Sequence, residues 1–137
     1  MNIKLSFKKS ILAGLAAAAA AAVLNSILFF VFHGAGVLSD TIFIRPNQPL
    51  TIVPILISSI LPAILGSIVF FLIEKFSSKG FKVFSIVSVV LLVLSFVNPF
   101  VGIPNVTVAY AVVLNVMHVV VAGALLFFIN RSVKNNA

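Results

Sequence analysis

The stretch "TIVPILISSILPAILGSIVFFLIEK", Thr51–Lys75, carries no charge from Thr51 to Ile73, and Glu74 and Lys75 then close it. A helix needs about 20 apolar residues to cross a hydrocarbon core about 30 Å thick. The 23 residues of Thr51 to Ile73 meet that length, so the stretch reads as a membrane span. Working outward, three more runs have the same character. Ile11 to Phe32 follows the basic opening "KLSFKKS"; residues 82–100 end at Asn98-Pro99; residues 107–129 are closed by "NRSVKNN". Four spans, over residues 11–32, 51–73, 82–100 and 107–129, predict an all-α, four-transmembrane-helix bundle, with residues 1–137 as a single integral membrane domain.

Composition points the same way. The chain is 62% hydrophobic and 8% charged, whereas a soluble domain carries about 25% charged residues to keep its surface wet. Nine Lys and Arg stand against two Asp and Glu, a net charge of +7. In a soluble protein that surplus would suggest nucleic acid. Here the cations flank apolar runs, so they read as topology signals with affinity for anionic headgroups, and no nucleic-acid partner is expected. Cysteine is absent, which excludes thiolate metal sites, disulfide exchange and cysteine nucleophiles. The alanine run at residues 16–22 has the small residues of a signal-peptide cleavage site. Its apolar stretch continues through "VLNSILFFVF", so an uncleaved helix is expected.

Orientation follows from counting. Lys4, Lys8, Lys9, Lys75, Lys79, Lys82, Arg131 and Lys134 share one side of a four-span topology, and only Arg45 lies on the other. By the positive-inside bias, both termini are expected in the cytoplasm of a bacterial cell, with the chain in the inner membrane. The long outer segment "HGAGVLSDTIFIRPNQPL", residues 33–50, has the Gly and Pro content of irregular backbone, and "TIFI" suits a short strand or interfacial turn. An Asp40–Arg45 ion pair is expected within it. The sequons at Asn105 and Asn130 read as chance, one set against the membrane and the other on the inner side.

Small residues repeat along the first two spans. Gly14, Ala18, Ala22 and Ser26 recur at four-residue spacing in the first; Ser59, Ala63 and Ser67 do so in the second. Such rows let helix backbones approach closely, and contact of that kind drives association where lipid removes the hydrophobic term. These two helices are therefore expected to be close neighbours within one chain. Pro54 and Pro62 remove backbone donors from the second span and free carbonyls there.

The fourth span raises a different question, because "LNVMHVVV" places Asn115 and His118 three residues apart on one helix face. His118 lies about 16 Å from Thr107 along a helix, near the middle of the core. Asn25, Ser58, Ser59, Ser95, Asn115 and His118 together fall in one band between the midplane and the outer third. Two readings stand side by side. Polar side chains in membranes hydrogen-bond across helices and act as glue, each contributing about 0.6 kcal/mol. An ionisable group at membrane depth also marks a ligand or proton path, here an outward-facing cavity between the first and fourth helices, walled by Asn115 and His118.

Sharper chemistries fail on geometry or residue type. Haem between His33 and His118 would need to bridge roughly 15 Å of depth. Two histidines and two distant carboxylates make no metal-ligand set. A serine protease built on His118 with Ser95 or Ser58 lacks a GxSG-like nucleophile turn. A proton-coupled exporter would need an embedded carboxylate, yet Glu74 is at a boundary and Asp40 in a loop. No catalytic residue, metal or cofactor is expected.

The segments "PLTIVPILISSILPAILGSIVFFLIEK", "LLVLSFVNPF" and "LNVMHVVVAGALL" together resemble a family of small bacterial four-helix membrane proteins of unknown function. The resemblance covers residues 11 to 131, with Ser95, Pro99, Met117 and His118 as its most specific positions. It implies the four-helix fold and a bacterial membrane, and it carries no activity. The leading expectation is a non-enzymatic accessory or structural membrane protein, monomeric or weakly oligomeric, whose partners are lipids and other membrane proteins. The alternative is a binding or transport module for a small amphipathic or apolar ligand.

Overall fold

A computed structural model of the chain describes residues 3–137. Its elements are α1 (Phe7–Gly34), a hairpin of β1 (Phe43–Arg45) and β2 (Gln48–Pro49), α2 (Ile52–Phe76), α3 (Gly80–Ser95), the short α4 (Asn98–Gly102) and α5 (Val108–Asn136). Among the described residues, four segments are long and apolar enough to cross a membrane: α1, α2, residues 80–102 and α5. The bundle is all-α apart from the hairpin, as the apolar runs predict. The helices outlast those runs: α1 begins four residues before Ile11, and α5 continues seven beyond Ile129. Basic turns can extend a helix into the headgroup region without burying charge, so hydropathy alone underestimates the length.

Local chemistry sets the ends. The Ser6 hydroxyl accepts from the Lys9 N–H at 3.3 Å and caps α1; Thr107 caps α5 by accepting from the Tyr110 N–H at 3.2 Å. At the far end of α1, Gly36 takes a left-handed φ of 78°. Its N–H reaches the His33 carbonyl at 3.0 Å, and the Val37 N–H reaches that of Phe32 at 2.9 Å. That pair of bonds satisfies carbonyls the helix would otherwise leave open. In the hairpin, Arg45 pairs with Gln48 across Pro46-Asn47, and Asn47 tolerates the φ of 56° the turn requires.

The third span departs from a single helix over residues 82–100. It is α3 followed by α4, broken between Ser95 and Asn98. Pro99 has no N–H to return to the Ser95 carbonyl, and Asn98, preceding a proline, is biased away from helical backbone. The chain restarts with Pro99 in the first turn of α4, where a missing donor costs least.

The core is a tight set of α1, α2 and α5, with α3 packed on the outside of α2 and α5. Ser59, Ala63 and Ser67 are all fully buried, so the α2 row faces inward as the spacing predicts. On α1 the buried row is Gly14, Ala18, Ala21 and Asn25, while Ala22 is half-buried and the Ser26 hydroxyl bonds its own helix at the Ala22 carbonyl, 2.6 Å away. The strict four-residue row drifts because a helix advances 3.6 residues per turn, and over three turns the buried face shifts by one residue. At Gly14 the two helices are in close contact. A Cβ there would overlap the Ser67 side chain and stand 3.2 Å from the Ala63 carbonyl oxygen.

Two apolar clusters fill the ends of the core. One joins Ala17, Ala63, Phe70, Phe84 and Ile129 toward the basic end; the other joins Phe29, Ile55, Tyr110, Val113 and Met117 toward the hairpin end. The basic end is also tied by polar contacts between distant parts of the chain. Lys4 Nζ donates to the Lys75 carbonyl at 2.9 Å, Asn136 Nδ2 donates to that of Ile3 at 2.9 Å, and Lys9 Nζ donates to Asn136 Oδ1.

Candidate functional site

The six polar residues placed in one band do not form one network. Asn25 sits on α1 at 2% exposure, between the two apolar clusters. Its Nδ2 donates to Ser59 Oγ at 2.9 Å and to the Met117 carbonyl at 3.2 Å, joining α1 to α2 and α5. Ser59 passes its own hydroxyl proton to the Ile55 carbonyl at 2.8 Å. Because Nδ2 faces a carbonyl, the amide orientation is fixed, and Oδ1 is left buried without a donor among the described residues.

Asn115 and His118 face the other way, toward the third span. Asn115 Nδ2 donates to the Phe96 carbonyl at 3.1 Å. In a continuous helix the Phe100 N–H would fill that carbonyl, but at the break it bonds Val97 instead, at 3.1 Å. Asn115 therefore caps α3 from the neighbouring helix. Its position in the sequence is explained by a break 19 residues upstream.

His118 reaches Ser95, with Nδ1 at 3.5 Å from Oγ. The Ser95 hydroxyl lies 2.6 Å from the Leu92 carbonyl and gives its proton there. Nδ1–H of a neutral imidazole must then be the donor to Ser95, and Nε2 keeps its lone pair. His118 is half-buried, on a wall where two hollows meet.

The first hollow is a cavity of about 690 Å³ at the hairpin end. Arg45 and Gln48 from the hairpin and Asn98 from α4 form its rim, and Asn25, Ser58 and His118 lie deeper. Thr51, the residue before α2, also lines it and makes no capping bond, so the first N–H groups of α2 point to this end unpaired by any side chain. The second hollow is an apolar groove of about 520 Å³ between α2 and α3, floored by α5. Ser58, Leu61, Pro62, His118 and Val121 line both, so the two hollows adjoin. Each volume lies within the range of about 300–1,000 Å³ typical of sites for small ligands.

Three expectations change in this light. The cavity runs between α2 and α5 rather than between the first and fourth helices, because small residues pack α1 tightly onto α2. Asn115 is part of the helix cap and does not line either hollow. Asp40 pairs with His33 Nε2 at 3.1 Å, not with Arg45. The end of α1 brings His33 within seven residues of Asp40, while β1 carries Arg45 round to the cavity rim. His33 itself stacks on Phe29, with ring centroids 5.4 Å apart.

Arg45, Gln48 and Asn98 line the cavity although no sequence motif marks them. The available signal was Arg45's isolation as the one cation on its side of the topology. Tyr110 was missed as well: it is fully buried, and its hydroxyl has no partner among the described residues. No curated protein and no solved structure matches the chain. A family model does match it, over residues 6–135, and by that match the chain belongs to DUF6069, a family of unknown function.

Proposed function

We propose that this protein is a non-enzymatic, multi-pass module of a bacterial inner membrane that binds a small amphipathic ligand from the outer face. The observation that carries the reading is that the hairpin-end cavity and the α2–α3 groove adjoin along a shared wall. A polar mouth leading into an apolar trench matches a molecule with a polar head and an apolar body. His118 Nε2 and the Ser58 hydroxyl oxygen, whose proton goes to the Ile55 carbonyl, lie where the two regions join, both placed to accept from the ligand. Eight of the nine cations cluster around the ends of α1 and α5 and the α2–α3 turn. The positive-inside bias then supports cytoplasmic termini and an outward-facing hairpin.

The absence of cysteine makes the test direct. Single cysteines at Ser58 and His118 are challenged in intact cells with a membrane-impermeant thiol reagent, with Ser39→Cys in the outer loop as control. Labelling at both deep positions, slowed by added amphiphile, is the expected result. Labelling of Ser39→Cys alone would refute an outward-open cavity and return the polar groups to the role of interhelical glue.

A further inference from the structure

We propose that the ligand is a monoacyl lipid with an anionic head, the head held at Arg45 and the chain lying in the α2–α3 groove. This rests on the binding reading above and adds the ligand's chemistry.

Charge decides the head. Of His33, Asp40 and Arg45 at the hairpin end, only Arg45 lines the cavity. Asp40 is engaged with His33, so Arg45 is the one cation on the rim without an acidic partner among the described residues. The uncapped start of α2 lies on the same side of the cavity, where Thr51 and Val53 line it, and its first-turn donors are the Ile52 and Val53 N–H groups, Pro54 having none. A guanidinium and helix N-terminal donors together favour an anion such as a carboxylate or phosphate ester. Deeper in the same cavity Nε2 of His118 is a free acceptor. It suits a hydroxyl group below the anion, or water carried in with it.

Shape decides the tail. The groove follows α2 from Ser58 to Val69 and α3 from Phe84 to Ser95, and its other walls are almost entirely aliphatic. Eleven residues of α2 rise about 16 Å. Spreading 520 Å³ over that length leaves about 30 Å² of cross-section, room for one hydrocarbon chain rather than two abreast. An extended chain advances about 3.5 Å every three bonds, so about 14 bonds cover the groove. Gly66 deepens the trench: a Cβ there would strike the Leu125 side chain, which forms the floor. The groove lies between two spans, so the chain can slide in from the bilayer while the head stays at the interface.

The test uses the whole chain in vesicles of zwitterionic lipid and a photo-crosslinkable fatty acid, with its methyl ester as the neutral-headed twin. The acid is expected to crosslink to Leu61, Leu65 or Leu91 saturably, and the ester about fivefold more weakly, the worth of one exposed charge contact. Arg45→Gln should lower the acid to the level of the ester, Arg45→Lys should keep most of the preference, and Leu91→Trp should block both probes. A lysophospholipid competing better than the acid would make phosphate the preferred head; failure to compete would make it carboxylate. Equal, saturable labelling by acid and ester, unchanged in Arg45→Gln, would overturn the anionic head while leaving the binding site standing. Labelling that never saturates and ignores Leu91→Trp would mean bulk lipid only, and the binding reading would fall with it.

Discussion

Gly14→Ala should change sign with its background, and that tests the packing on which the site rests. The added Cβ would overlap the Ser67 side chain and press on the Ala63 carbonyl at 3.2 Å, at a point where both helices are fully buried. Overpacking of this kind costs about 1–3 kcal/mol. Removing a glycine from a helix interior returns up to about 1 kcal/mol of propensity. The net expectation is a loss of about 1–2 kcal/mol in the natural background. With Ser67→Gly in place the overlap disappears, and Gly14→Ala should become neutral or stabilising. The coupling of about 2 kcal/mol falls within the range for side chains in contact. A reporter cysteine at Ser10 suits the assay, because Ser10 is fully buried with a hydroxyl that has no partner among the described residues. Its thiol should react only when the bundle opens, so reactivity against denaturing detergent gives stability. Gly123→Ala, where a Cβ meets nothing within 4 Å, is the control for propensity alone. An identical effect of Gly14→Ala in both backgrounds would refute the close α1–α2 approach.

Other outcomes follow from single contacts. Asn115→Leu strands the Phe96 carbonyl and should cost about 1–3 kcal/mol, with faster amide exchange confined to the end of α3 and to α4; uniform exchange across the bundle would contradict the capping role. Gly36→Ala forces a side chain into a φ of 78° and should cost about 1–2 kcal/mol, while Gly34→Ala, with open space around it, should cost nothing measurable by the same detergent titration. Asp40→Asn removes an exposed pair whose partners are 39% and 67% accessible, so the loss should stay below about 1 kcal/mol; a larger one would mean that the hairpin depends on His33.

Much of this architecture is legible without coordinates because bilayer thickness imposes a length and lipid imposes a composition on every span. The small-residue row of α2 is equally plain: Ser59, Ala63 and Ser67 keep four-residue spacing over only two turns, too short for the drift that displaces Ala22 on α1. What stays hidden is direction around each helix axis. Depth can be counted along a chain, so Asn25 and Asn115 can be placed at similar heights. Nothing in a uniformly apolar helix says which azimuth faces which neighbour, because the usual guide, an apolar face against a polar one, is missing in lipid. Arg45 escaped notice for another reason. The acid five residues upstream is the obvious partner in the sequence, but Asp40 is engaged by His33 and β1 carries Arg45 to the cavity rim.

The question posed by Asn115 and His118 has two answers, and the break at Asn98-Pro99 produces both. A proline in the last turn of a span leaves carbonyls without donors, and in lipid no water can fill them. Asn115 supplies one donor, to Phe96. His118, one turn further along α5, holds Ser95 through Nδ1 and leaves Nε2 free on the cavity wall. The same break lets α3 stand off from the core, with only 11% of its most apolar stretch buried, and the groove occupies the resulting space. If the hollow were incidental, closing it should stabilise the bundle. Ser58→Leu together with His118→Leu removes two polar groups from apolar surroundings and fills volume, so greater detergent resistance is expected. That gain should come with loss of saturable acid crosslinking, the stability–function trade-off of a site held open for a ligand. Greater resistance with crosslinking intact would place the ligand elsewhere.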